Sequence, residues 1–337
     1  MRNYLFIISV FGLSCEYSLE NYKDANGIEI TKVTEIDEER ISTLVAKDGY
    51  IYYAKICSNV LEIRSIHRKD FKKQLFLPRT IGEIKLSYDK NFLYVLFWDR
   101  LEIFDIKNPK NPCLISDIPV EGTHIYESKI KKVLYVYGGK TYPLLMVNIE
   151  NILFPYLSPL SVLENLKSCI IDMVENDSVL YALLENHEIA VIKPYEPCVI
   201  LFPLEDTIQA IELNNHILYG IEREYGVISA DVENDSEISF DEKCRLPFES
   251  EEYYQLASSM GFYADSLFMY LVLTYGKYYP IFLLFSYYES PYENTVAVTE
   301  IYELLEGFYY EKLFVDYPYV YIYGTSGIVV LLLKEAE

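Results

Sequence analysis

Aromatic rings beside Arg, Lys and Asp are what a sugar or peptide surface requires, because they join stacking area to directional hydrogen bonds. The chain places such sets repeatedly in short polar segments: Trp98, Asp99 and Arg100; Lys140 and Tyr142; Asn186 and His187; Arg223, Glu224 and Tyr225; Tyr275, Lys277 and Tyr278; Thr325 and Ser326. The candidate ligand-binding residues are Trp98, Asp99, Arg100, Lys140, Tyr142, His187, Arg223, Tyr225, Tyr275 and Lys277. A second account stays open beside this one. Loops are polar and the chain holds 34 tyrosines, so such sets also arise without a ligand.

Signals for catalysis are sparse. His67, His124, His187 and His216 fall far apart and without metal-ligand spacing, so no metal site is expected. No G-x-S-x-G, phosphate loop or H-E-x-x-H occurs. The carboxylates of Asp231, Glu233, Asp235 and Glu237 alternate, but the stretch lacks the glycine and terminal Glu of a calcium loop and reads as a solvated turn. No catalytic residue and no cofactor is assigned on these grounds. The favoured reading is non-catalytic.

The elements that must position the loops repeat. Seven times an apolar pair ends in a tyrosine inside a strand-like run: Tyr52, Tyr94, Tyr135, Tyr181, Tyr219, Tyr270 and Tyr321, at intervals of 42, 41, 46, 38, 51 and 51 residues. A period in the forties with four strand-sized pieces per unit predicts β-propeller blades. In the clearest unit, Ile84–Tyr88 alternates as an inner strand and Phe92–Phe97 is an apolar run suited to burial on both faces. Leu101–Ile106 and Leu114–Ile118 follow around the turn Lys107–Pro112, whose Pro and Asn residues set turn geometry.

This unit resembles the LVIVD repeat of bacterial β-propellers, in which L-x-I-x-D leads into x-x-P-x-x-P. Leu101, Ile103, Asp105, Pro109 and Pro112 match in order. Later units keep fragments only, such as Leu145–Ile149 and Val227–Asp231. The last unit has an inner strand (Tyr309–Val315), a second (Tyr319–Tyr323) and a third (Gly327–Leu333) but no fourth, while Gly27–Ile36 is an orphan strand ahead of the first blade near Ile41. The expected fold is therefore all-β: a seven-bladed β-propeller of four-stranded antiparallel blades, closed by the N-terminal strand (27–36) completing the last blade, which removes an unpaired edge. At most one helical turn is expected, over Ser161–Lys167.

The N-terminus carries a different signal. Met1-Arg2 precedes about ten mostly apolar residues, Tyr4 to Leu13, too few for the roughly twenty that a membrane span needs. Gly12-Leu13-Ser14-Cys15 follows and resembles a bacterial lipoprotein signal, with Gly12 standing where Leu is usual. The resemblance implies cleavage after Ser14 and lipid attachment at Cys15. Simple secretion with a free Cys15 thiol is the alternative. The expected division is 1–14 signal peptide, 15–26 polar tether and 27–337 propeller.

Export would permit disulfides. The remaining cysteines, Cys57, Cys113, Cys169, Cys198 and Cys244, are odd in number and form no CxxC pair. Cys169 and Cys198, read as innermost and outermost strand positions, would lie roughly 14 Å apart, beyond the ~7 Å reach of a disulfide. Mostly buried free thiols are expected.

A net charge of −22, from 29 Lys+Arg against 51 Asp+Glu, excludes a nucleic-acid or anionic-lipid surface as the favoured partner. The reading is a monomeric binding or scaffolding protein, lipid-anchored at the bacterial outer membrane or cell surface, or else periplasmic or secreted. It would meet an unknown protein or carbohydrate partner, with membrane contact through the anchor only. The rival is an envelope polysaccharide hydrolase or lyase using carboxylates at the channel mouth.

Overall fold

The computed structural model describes residues 28–38, 40–158, 166, 168–177, 179–194, 198–204, 208–222, 226–232, 238–245, 257–264, 268–275, 279–290, 293–303, 312–325 and 327–335. All regular structure among them is strand. β1 (Ile28–Ile36) comes first, then a blade of β2 (Ile41–Lys47), β3 (Tyr50–Lys55), β4 (Val60–Ser65) and β5 (Lys72–Phe76). The second blade holds β6 (Ile81–Leu86), β7 (Phe92–Phe97), β8 (Arg100–Asp105) and β9 (Cys113–Pro119). The third holds β10 (His124–Glu127), β11 (Val133–Tyr137), β12 (Leu144–Asn148) and β13 (Tyr156–Ser158). The fourth holds β14 (Ile170–Asn176), β15 (Val179–Leu184), β16 (Glu188–Lys193) and β17 (Cys198–Pro203). The fifth holds β18 (Ile208–Asn214), β19 (Ile217–Glu222), β20 (Gly226–Asp231) and β21 (Asp241–Arg245). The sixth holds β22 (Ala257–Ala264), β23 (Phe268–Tyr275), β24 (Tyr279–Ser290) and β25 (Glu293–Glu303). β26 (Lys312–Asp316), β27 (Tyr319–Gly324) and β28 (Gly327–Glu335) end the described chain.

Six blades, not seven, are continuous in the chain, each an antiparallel four-stranded sheet of consecutive strands. The remaining four-stranded sheet is composite, in the order β1-β28-β27-β26, and draws on both ends of the described chain. The expected count of seven blades is corrected in that sense. The tyrosine period counts second strands, and the last of these lies in a sheet that consecutive strands cannot complete. Pairing runs from Ile28 opposite Glu335 to Ile36 opposite Ile328. Gly27, the expected first residue of this strand, lies outside the described residues, as do the signal and tether segments and all of 161–167 except Leu166.

The inner strands follow one another around a ring, β2 beside β6 through to β22 beside β26, and β26 returns to β2. The third and fourth blades meet through Ser128, whose hydroxyl donates to Glu175 at 2.9 Å. Second strands explain the sequence period. Tyr52, Tyr94, Tyr135, Tyr181, Tyr219, Tyr270 and Tyr321 are all at most 1% exposed. A flat ring suits a surface buried on both faces of the sheet, and the hydroxyl needs a partner once buried. Three find it in the next blade: Tyr52 donates to the Pro109 carbonyl at 3.0 Å, Tyr94 to Glu127 at 3.2 Å and Tyr181 to the Val232 carbonyl at 3.4 Å. The tyrosine thus fills the space between blades and ties the pair together.

Closure has its own chemistry. Gly327 has φ +132°, and a Cβ there would lie 2.5 Å from the Ile36 carbonyl oxygen, so only glycine lets β28 approach β1 this closely. Ile36 then joins Tyr321, Tyr323, Ile328 and Val330 in one buried cluster with Leu44, Ile51 and Tyr53 of the first blade. Just beyond β1, Glu38 pairs with Lys55 at 2.5 Å, with Lys72 at 3.0 Å and with Arg64. These cations hold the Glu38 carboxyl below its usual range despite its partial burial.

The cysteines depart from expectation. Cys57, Cys113 and Cys169 are exposed and Cys198 is half-buried, all four as free thiols. Cys57 sits in a turn, Cys169 just ahead of β14, and Cys113 and Cys198 begin outer strands, so none reaches the space between blades. Cys244 lies on β21.

If the tyrosines are latches, Tyr94→Phe should cost about 1 kcal/mol for the lost hydrogen bond. Tyr94→Ala should cost roughly 3–5 kcal/mol for the lost ring. Urea denaturation of the two variants would separate the contributions, and equal costs would contradict this account.

Candidate functional site: the central channel and its rim

Each inner strand turns one edge of side chains toward the ring axis. In five blades a register shift interrupts its start, between Ile41 and Thr43, Ile81 and Glu83, Ile170 and Asp172, Ile208 and Ala210, and Ala257 and Ser259. Such bulges re-aim a side chain. Here they bring an acceptor to the neighbouring blade. Thr43 Oγ1 accepts the Ile84 N–H at 3.1 Å, Glu83 the Ile125 N–H at 2.6 Å, and Asp172 the Ile211 N–H at 2.9 Å. The inner strands are thereby stitched together where they face the channel.

Around this stitching, charged and aromatic groups from several strands converge. His124 opens β10, with Nδ1 3.8 Å from Glu83 and its ring stacked on Tyr137 at 5.1 Å. Lys85 donates to the Ile125 carbonyl at 3.1 Å and sits 5.4 Å from the Tyr126 ring centre. Lys312 donates to the Ser42 carbonyl at 2.9 Å. The side chains of His124 and Glu83 remain 45% and 26% exposed although they lie deep in the ring. This end of the ring therefore leaves polar side chains open to solvent.

Their electrostatics follow from surrounding protein. Burial pushes Glu212 up to about 8, and the charge of Asp172 on the adjacent blade adds to the shift. Burial pushes Asp172 up to about 6, restrained by the N–H groups of Ile211 and Met173. His124 is lowered, first by burial and then by the ammonium groups of Lys312 and Lys85, against the pull of Glu83. At pH 7 the channel therefore sets a protonated Glu212 beside an ionised Asp172 and a neutral His124. One carboxyl can donate a proton while its neighbour accepts one. Among the described residues, no group of three or more His, Cys, Asp or Glu side chains is arranged to hold a metal ion.

The loop residues expected from sequence sit at the same end as the inner-strand starts, because an antiparallel meander returns its second strand there. Trp98 is 58% exposed and the Lys140 ammonium lies 5.6 Å from its ring centre, joining the second and third blades. Asp99 pairs with Arg79, and Arg100 with Asp117. Glu121, in the loop leading into the third blade, accepts from the Lys140 N–H at 2.9 Å and the Thr141 hydroxyl at 2.7 Å. Tyr142 is exposed. The structure brings Trp98 and Lys140 together. His187, by contrast, is a turn residue at φ 61° in the fourth blade, with no contact to that pair. Arg223, Tyr225 and Lys277 lie outside the described residues, and Tyr275 ends β23.

The channel groups escape a motif search because their types vary from blade to blade. Of the four histidines only His124 faces the channel group, while His67, His187 and His216 lie in turns. The available signal was periodic: Thr43, Glu83 and Asp172 occupy one position of the repeat, two residues after the isoleucine that opens the strand.

A carboxyl whose folded pKa is raised binds its proton more tightly folded than unfolded. Its stabilisation is complete below the unfolded value and is lost as pH rises through the folded one. For Glu212 that window runs from 4.5 to about 8. Thermal melts should fall across it, and Glu212→Gln should flatten the fall. An unchanged slope would mean that Glu212 is not held as the neutral acid.

No family model matches the chain, and no curated protein matches it. Solved structures do. The β-propeller domain of Myceliophteria thermophila Cps50 (Swd1) superposes with a TM-score of 0.64 at 10% identity, covering 91% of this chain and 100% of that one. The computationally designed protein Ika8 gives 0.60 at 8% identity, covering 90% and 100%, and Saccharomyces cerevisiae Sqt1 gives 0.58 at 12% identity, covering 88% and 83%. At these identities the likeness concerns the fold alone: the chain is a β-propeller.

Proposed function

We propose that this β-propeller is a non-catalytic binding or scaffolding protein, exported and lipid-anchored through Cys15 at the bacterial cell envelope. The observation that carries the binding role is the pairing of two features at one end of the ring. Partly exposed polar side chains of the inner strands, His124 and Glu83, lie there, beside a rim where Trp98, Lys140 and Tyr142 stand exposed. Among the described residues the tyrosines at the centre of the second strands serve the packing between blades, whereas the exposed rings of Trp98 and Tyr142 on the rim are available for contact. Export and anchoring rest on the sequence from Tyr4 to Cys15. The LVIVD resemblance of Leu101 to Pro112 is consistent with a bacterial envelope protein.

A second reading, an envelope polysaccharide hydrolase or lyase, is favoured by Asp172 and Glu212. Carboxyls on neighbouring blades whose pKa values are pushed apart, about 6 and about 8, are one requirement of acid–base cleavage of a glycan. Envelope polysaccharide incubated with wild type and with Asp172→Asn/Glu212→Gln would decide. Turnover lost in the double variant would establish the enzyme, and no turnover by wild type would leave the binding role.

Metabolic lipid labelling should mark the wild type and spare Cys15→Ala, with the variant released to the soluble fraction. Equal release of both would remove the anchor. Affinity capture from native envelopes should recover a partner that Trp98→Ala combined with Lys140→Ala weakens roughly tenfold or more. Capture unaffected by those changes would move the contact off the rim.

A further inference from the structure

We infer that the central channel is a site for an uncharged polyhydroxylated ligand, a sugar unit, entered from the end where the inner strands begin. The inference rests on the binding role proposed above and names the ligand class for it.

The far end is strapped. Lys90, in the hairpin after β6, pairs with Asp316 at the end of β26. Those strands belong to sheets that are not neighbours, since the first blade stands between them. The ion pair therefore passes in front of the first blade's hairpin and covers that side of the mouth. At the opposite end, no such pair spans blades across the axis among the described residues. The opposite end, past Glu83 and His124, is the end without a strap.

The lining fits a neutral polar guest better than an ion. Among the described residues facing the channel, the formal charges of Glu83 and Asp172 offset those of Lys85 and Lys312. Glu212 is a neutral acid at pH 7 and His124 a neutral imidazole. Lys129, which also faces Glu212, is matched by Glu175 on β14. The phenols of Tyr126, Tyr137 and Tyr323 are held protonated by burial. A chain of net charge −22 thus keeps a balanced interior here.

An anion would enter against the field of the whole chain. A cation would lose its hydration without a surplus carboxylate to replace it. A sugar hydroxyl both donates and accepts, matching a set that mixes carboxylic acid, carboxylate, ammonium and imidazole. The His124 ring, stacked on Tyr137 on one side and partly open to the channel, supplies a flat surface for a sugar's C–H face.

Saturation-transfer NMR of the full chain at pH 7 with glucose, glucosamine and glucuronate tests the assignment. Glucose should bind, with the two charged sugars weaker by roughly tenfold. His124→Ala and Asp172→Asn, each checked for native circular dichroism, should weaken glucose by a similar factor, and Phe76→Ala on the outer strand β5 should leave it unchanged. If one channel variant fails to fold, the other decides. Equal or tighter binding of a charged sugar overturns the ligand class, and glucose binding that survives both channel variants overturns the location. No binding of any of the three overturns the proposal as a whole. The binding role itself stands or falls on envelope capture, which does not depend on these sugars.

Discussion

The structure depends on the burial of each blade's second strand between its neighbours. A four-stranded sheet of this length cannot bury both its faces alone; it buries them against the sheets on either side. The tyrosine at the centre of each second strand fills that space with a ring, and in three blades it also reaches across with a hydroxyl. Because every blade needs two neighbours, an open array would expose two apolar faces. The ring has to close, which makes β1, its pairing with β28 and the Glu38 cluster part of the same constraint.

Closure in turn creates the channel. Once the inner strands are arranged around an axis, their channel-facing side chains meet groups from blades far away in the chain. Lys85 lies beside Tyr126, His124 beside Glu83, and Lys90 beside Asp316. The same backbone that leaves N–H groups facing the axis is satisfied by Thr43, Glu83 and Asp172, so the polar lining is structural before it is functional. Burial then perturbs what remains. Asp172 and Glu212 are driven upward because a ring of protein replaces most of their water, and the charge of Asp172 adds to the shift of Glu212 while that of Glu83 adds to the shift of Asp172.

Much of the architecture was legible in the chain. Strand two of the second blade, Phe92–Phe97, was expected residue for residue, and β1 was expected to complete the last sheet. Those features are carried by continuous apolar runs and by a missing fourth strand, both local patterns. The loop set was legible in part. Trp98 and Lys140 do meet, whereas His187 serves a turn, because loop composition reports polarity and not which loops lie side by side. The cysteines were misjudged as buried: a cysteine's place depends on its position within a strand, and Cys57, Cys113, Cys169 and Cys198 fall at turns and strand starts.

By itself the sequence determined the repeating strand unit, the tyrosine at the heart of each blade, the strand that closes the ring and the strong negative charge. All are set by side-chain type at regular intervals. Only the tertiary structure decided the site. Glu83, Lys85, His124, Tyr126, Asp172 and Glu212 are spread over four strands of different blades and are of mixed type, with only Glu83 and Asp172 sharing a position of the repeat. Nothing in the chain brings them together except the ring. Their chemistry is created by burial around an axis, a property of the closed assembly that no single stretch of residues encodes.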